Sequence, residues 1–254
     1  MAMSPAPQVL VVAGSDSSGG AGIARDVETL CRFGLRAALA VTAVTAQTSR
    51  RVVAVEPMPP ALVESQMRAA LSAGCVRTVK LGMLGLTETA DAVRAVLEDH
   101  PRTPVVIDPV LASTSGRRLL EGDAAAVYRR LFPLAALVTP NVPELGLLAG
   151  GPPAGDERGA IGQAKVLLAQ GARAVLVKGG HASGADAADL LVTPEGVQRF
   201  VLPRLAVTLR GTGCALASGI AAQLALGRAL PEAIALAKEW LHDLMAREGS
   251  PDGG

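Results

Sequence analysis

Short aliphatic runs alternate with stretches of helical spacing along almost the whole chain, and this rhythm restricts the fold more than any other feature. Residues 9–13, 105–107 and 174–177 carry no charge and read as buried strands. Strands of that kind, separated by helices, build a mostly parallel sheet covered by helical layers. The pattern predicts further strands over 37–44, 52–55, 78–81 and 135–138. It predicts helices over 21–33, 60–73, 88–99, 123–131, 144–149, 157–170, 212–226 and 231–245. In the first helix Ile23, Val27, Leu30 and Phe33 share one side, and Gly34 supplies the stop signal. Residues 190–192 and 197–201 read as a hairpin around Pro194-Glu195-Gly196.

A chain of 254 residues, half of them hydrophobic and 19% charged, can bury a large core. Aromatic residues are only 2%, so Ala, Val and Leu must build that core. The Gly/Pro stretch 150–155 is the best candidate linker, yet the strand–helix rhythm continues on both sides and marks it as a surface loop. We therefore expect one domain over 1–254, with an ordered core of about 8–246. The net charge is +1, from 24 basic and 23 acidic residues, which argues against a nucleic-acid partner. The N-terminus lacks the basic start and long apolar core of a secretory signal. The uncharged stretch 211–227 is too short and polar to span a membrane. Three cysteines without metal-like spacing fit a reducing compartment, so a cytoplasmic location is expected.

Two glycine-rich segments stand where anions can bind, because backbone N–H groups at a helix start are left free and the helix dipole favours negative charge. The first, residues 14–22, follows the first strand. It is neither a P-loop, lacking Gly-Lys-Ser/Thr, nor a dinucleotide fingerprint, and an ordinary Gly-rich turn explains it equally well. The second is Gly211-Thr212-Gly213-Cys214, running straight into a helix. A thiol in a first helical turn is expected to have a lowered pKa, whereas Cys31 and Cys75 read as small buried cysteines. Three more stretches fall at predicted C-terminal strand ends, where open α/β sheets bind ligands: Asp108-Pro109-Val110, Thr139 to Glu144, and Lys178 to His181. Asp108, Asn141 and Glu144 offer oxygens suited to Mg²⁺, although Asn141 and Glu144 also read as a capping box. Lys178 is one of only four lysines among the 24 basic residues.

Seven segments in order, AGSDSSGGAGIARD, VTAVTAQTS, VKLGMLG, VIDPVLASTSG, VTPNVPEL, VKGGH and RGTGCALASG, resemble the signatures of hydroxymethylpyrimidine/phosphomethylpyrimidine kinases of thiamine biosynthesis. The resemblance spans about residues 9–245. It implies a ribokinase-like three-layer α/β/α fold with a central mostly parallel sheet, commonly dimeric, so a homodimer is expected. It implies transfer of the γ-phosphoryl group of MgATP to the pyrimidine alcohol, then to its monophosphate. By the same resemblance Gly211, Thr212, Gly213 and Cys214 form the anion hole, with Cys214 at the position of the usual Asp base. Gly14, Asp16, Gln47, Met83 and Val110 surround the pyrimidine. Asp108, Asn141 and Glu144 face Mg²⁺, while Lys178, His181 and Arg210 border the nucleotide and its phosphates.

The chain departs from the family pattern at Thr114-Ser115-Gly116, where Lys-Ser-Gly is usual, and at Arg210, where His is usual. The Gly/His-rich C-terminal segment typical of the family does not follow Met245. Arg210 or Arg117 is expected to replace the lost positive charge in the second transfer. Pyridoxal or pyridoxine kinase, and a degenerate pyrimidine-binding protein without catalysis, are the competing readings. A sugar kinase fits less well, since Cys214 replaces the usual Asp.

Overall fold

The structure, a computed structural model, describes residues 6–48, 51–111, 124–179 and 184–248. The elements run β1 Gln8–Ala13, α1 Gly22–Arg32, β2 Arg36–Val41, β3 Ala43–Gln47, β4 Val52–Pro57, α2 Pro60–Ser72, β5 Val76–Leu81, α3 Thr87–Glu98 and β6 Val105–Ile107. They continue with α4 Ala124–Arg129, a 3-10 turn Phe132–Leu134, β7 Leu137–Val138, α5 Val142–Ala149, α6 Glu157–Ala169, β8 Val175–Val177, β9 Asp186–Thr193, β10 Gly196–Pro203, α7 Thr212–Ala225 and α8 Leu230–Glu248.

Eight strands form the central sheet in the order β10-β9-β8-β7-β6-β5-β1-β2, and β3 pairs with β4 in a separate ribbon. All pairs from β2 to β8 are parallel; β9 and β10 add an antiparallel edge. Strand side chains alternate between two cores. Leu10, Val12, Val105 and Ile107 pack with α2, α3, α5 and α6 on one face. Val9, Val11, Val106 and Leu176 pack with Ile23 and Leu30 of α1, Ile220 of α7 and Ile234 of α8 on the other. Both faces are therefore apolar, and the three-layer α/β/α arrangement follows from the strand composition.

The chain builds β1 and β2 on one side and then places β5 against the opposite side of β1. The loops leaving β1 and β5 consequently diverge, and this switch point is where open parallel sheets carry a crevice.

Three local readings change. The stretch 37–44, expected as one strand, is split at Thr42 between β2 and β3. The Thr42 hydroxyl donates to the Met83 carbonyl at 2.6 Å and its N–H to that of Ala13 at 3.0 Å, turning the chain out of the main sheet. Those are long-range bonds, so no local residue marks the break. The strand predicted over 135–138 shrinks to Leu137–Val138 because the 3-10 turn occupies the chain before it. Cys31 is exposed and Cys75 half-buried, correcting their reading as buried cysteines: both lie where a helix or turn meets solvent. The hairpin and the α1 side formed by Ile23, Val27, Leu30 and Phe33 are found as expected.

Candidate active site

The crevice between β1 and β5 is floored by Gly14 and Met83. A Cβ added to Gly14 would lie 2.5 Å from the Met83 terminal methyl, so glycine is what lets the thioether cross above the first loop. The β3 ribbon forms a side wall. Ser15 donates its N–H to the Ala43 carbonyl at 2.9 Å, and the Gln47 N–H donates to Ser17 Oγ at 2.8 Å. Gln47 is half-buried at the end of this wall. Val110 follows β6, its N–H bonded to the Asp108 carbonyl at 2.9 Å.

The second glycine segment packs directly on the first. Gly211 has φ 73°, and a Cβ there would strike the Gly20 carbonyl. Gly211 is also the N-cap of α7 and offers no side chain to its free N–H groups. A Cβ on Gly213 would stand 3.1 Å from Lys178 Nζ and 3.9 Å from both Asp108 carboxylate oxygens. The bare start of α7 thus faces an ammonium and a carboxylate across a gap that only glycine leaves open.

Arg210 turns toward the first loop. Its guanidinium donates to Ser18 Oγ at 2.9 Å and to the Thr48 carbonyl at 3.2 Å, and pairs with Asp16 at 3.3 Å. Asp16 is almost fully buried and also accepts from the Ser18 N–H at 2.8 Å. Arg210 thus ties the turn before α7 to the first glycine-rich loop.

Lys178 donates to Asp108 at 2.8 Å. Burial alone would raise the Asp108 pKa, yet Lys178 and Lys80 hold it below the usual carboxylate value. Burial likewise opposes charge on Lys178, but Asp108 and Glu144 keep its pKa raised. Burial pushes Glu144 up to about 7 against the pull of Lys178. Cys214 corrects an expectation: enclosure of the sulfur pushes the thiol up to about 12, outweighing Lys80. Asp108 and the Gly22 backbone lie close enough to Cys214 to act on it electrostatically.

Asn141 caps α5. Its side chain accepts the Glu144 N–H at 2.9 Å and Glu144 accepts the Asn141 N–H at 2.8 Å, the complete capping box read from sequence. Among the described residues no group of three or more His, Cys, Asp or Glu gathers as a metal cage. Asp108 and Glu144 lie near enough to share an electrostatic field with Lys178. Two carboxylates near an uncapped helix start offer oxygens of the kind Mg²⁺ takes. His181, Thr114, Ser115, Gly116 and Arg117 lie outside the described residues.

Sequence reading missed the groups beneath the site. Lys80 donates to both oxygens of Asp26 at 2.9 Å, and Ser218 donates to Asp26 at 2.7 Å. Lys238 of α8 donates to Asp189 at 2.6 Å, and Asp189 accepts the Gly179 N–H at 2.8 Å, bracing the turn after Lys178. One signal was available: of the four lysines, Lys80 sits inside an apolar run.

Residues 16–253 match the family described as phosphomethylpyrimidine kinase. A hydroxymethylpyrimidine/phosphomethylpyrimidine kinase of Rhizobium meliloti is 44% identical over 235 residues, covering 92% of this chain and 88% of that protein. A thiamine biosynthesis bifunctional protein of Geobacter sulfurreducens is 45% identical over 239 residues, covering 93% of this chain, which spans only 49% of that longer protein. Among solved structures, a phosphomethylpyrimidine kinase of Clostridium difficile 630 has a TM-score of 0.83 at 33% identity, covering 94% of this chain and 99% of that one. A pyridoxal kinase of Staphylococcus aureus in complex with AMP-PCP and pyridoxal has a TM-score of 0.84 at 29% identity, covering 94% and 88%. With a bare helix start and paired charges at the switch point of a ribokinase-like sheet, and these matches along its length, the chain belongs to the phosphomethylpyrimidine kinase family.

Proposed function

We propose that the protein transfers the γ-phosphoryl group of ATP to the hydroxymethyl oxygen of 4-amino-5-hydroxymethyl-2-methylpyrimidine, and then a second group to the monophosphate, in thiamine biosynthesis. One observation carries the reading: the uncapped start of α7 faces Lys178 and Asp108 beside a crevice floored by Gly14 and Met83. Phosphoryl transfer is mostly positioning and charge stabilisation, which free N–H groups and a fixed ammonium supply.

In this reading Met83 and Val110 pack on the pyrimidine ring, and the Gln47 amide pairs with its aminopyrimidine edge. Gly211, Thr212, Gly213 and Cys214 hold the transferring group, and Lys178 meets the phosphates. Asp108 and Glu144 would hold Mg²⁺ when it is bound, and the ion would neutralise phosphate charge. Asn141 contributes by holding Glu144 through the cap. A thiol pushed up to about 12 is protonated at neutral pH and cannot take a second proton, so Cys214 orients the acceptor hydroxyl through its sulfur, and the hydroxyl proton passes to an oxygen of the transferred group as the new O–P bond forms and the bond to the β-phosphate oxygen breaks. Arg210, held by Asp16 and Ser18, stands where the charge of a phosphorylated acceptor would draw it. A cytoplasmic homodimer belongs to the same reading.

A phosphoryl-transfer assay with hydroxymethylpyrimidine, its monophosphate and pyridoxal tests this, with Cys214→Ala as control. The expected result is turnover of both pyrimidines and a roughly 100-fold loss of kcat in the variant. Full activity of Cys214→Ala would remove Cys214 from the chemistry. The likeness to the Staphylococcus aureus enzyme supports pyridoxal as a second acceptor, and turnover of pyridoxal alone would replace the pyrimidine reading.

A further inference from the structure

The register of the central sheet places one residue row across five strands: Leu39, Val11, Lys80, Val106 and Leu137. Val11, Val106 and Leu137 pack in the core shared with α1, α7 and α8. Lys80 is the sole charge in this apolar row, and its side chain is 0% exposed, as is that of its partner Asp26. A buried ion pair adds little net stability over apolar residues of similar volume. The neighbouring valines show that packing at this row needs no lysine.

The pair joins three elements that carry the site. Lys80 lies on β5, two residues before Gly82, and a Cβ on Gly82 would lie 3.0 Å from its Nζ. The next residue is Met83, the floor of the crevice. Asp26 lies on α1, which packs against α7 through Ile23 and Leu30. Ser218 lies on α7 one helical turn after Cys214, and its hydroxyl closes the network on Asp26 at 2.7 Å. The hydrogen bonds therefore tie both β5 and α7 to α1.

We infer that the buried Lys80–Asp26–Ser218 network is a positioning device for phosphoryl transfer, setting the rotation and depth of α7 so that Cys214 and the anion-binding turn register with the Gly82–Met83 floor. The inference rests on the kinase reading above. The network keeps its charges: burial opposes the Lys80 proton, but Asp26, Cys214 and Asp108 together raise its pKa. An ammonium thus stays beneath the turn that receives the transferring group.

The double variant Lys80→Met/Asp26→Leu replaces the pair with apolar side chains, a change that buried pairs tolerate. The expected result is a folded protein whose kcat falls about tenfold, while KM for ATP and for the pyrimidine moves less than about twofold. Ser218→Ala leaves the ion pair intact and is the second arm if the double variant is insoluble. It is expected to stay folded and to lose kcat about threefold with KM for both substrates unchanged. Wild-type kcat in Ser218→Ala, or in a folded double variant, overturns the inference. If the wild-type protein phosphorylates neither pyrimidine nor pyridoxal, the kinase reading itself has failed. The positioning claim is then decided by the iodoacetamide alkylation rate of Cys214, followed by peptide mass spectrometry. A rate in Ser218→Ala equal to wild type overturns it, and a changed rate supports it.

Discussion

Two helices begin on the same edge of the sheet and treat their free amide groups in opposite ways. At α5, Asn141 and Glu144 satisfy each other's N–H groups in a closed capping box. At α7, Gly211 provides no side-chain cap. Both starts lie near Lys178: Asn141 bridges to it in parallel fashion, and Gly213 approaches its ammonium. The capped start satisfies its donors within the fold, whereas the bare start leaves them without a side-chain partner, as the proposed anion site requires.

The largest effect should come from Gly211→Ala. Its Cβ would strike the Gly20 carbonyl, and φ 73° strains any L side chain. Steady-state assays should show a kcat loss of roughly 100-fold or more, as when an anion-hole donor is removed. Melting curves should show a stability loss of about 1–3 kcal/mol. Normal turnover would mean that the α7 start is not the anion site.

Arg210→Ala tests the residue that leads into the bare start. It should slow phosphorylation of the monophosphate roughly tenfold, through loss of a charge-assisted contact, and slow that of the alcohol much less. Equal effects on both acceptors would make Arg210 only a latch on Asp16 and Ser18.

Asn141→Ala should leave the start of α5 unfinished and cost about 1 kcal/mol in a denaturant titration. Its kcat should stay within about twofold, because α5 donors serve the fold. A collapse of kcat at intact stability would erase the contrast between the two helices.

The smallest effect concerns pH. The Glu144 carboxyl is pushed from 4.5 up to about 7, so between those values the folded state holds a proton that the unfolded chain releases. Its contribution therefore weakens wild-type stability as pH rises through that window and leaves it lower above about 7. Glu144→Gln should lack this slope in melting temperature measured across the same range. An identical slope would place the titration elsewhere.

The layered fold was legible because strands buried on both faces must be apolar throughout, and residues 9–13 and 105–107 declare it. The capping box was legible too, since its partners are three residues apart. The break at Thr42 was hidden, for it depends on carbonyls of Ala13 and Met83 that only the folded chain brings near. The acidity of Cys214 was misread for a similar reason. Position in a first helical turn favours the thiolate, but enclosure of the sulfur by distant segments decides the outcome.

Local chemistry thus determined that this chain builds a helix-covered parallel sheet, with two glycine-rich turns and several polar residues at the strand ends. Tertiary structure alone decided that Gly211 rests on Gly20, that Arg210 reaches Asp16, and that Lys80, Asp26 and Ser218 close a network under Cys214. The physical reason is separation along the chain. Periodicity and capping act over a few residues, whereas each of these contacts joins segments whose approach is set by the packing of both cores.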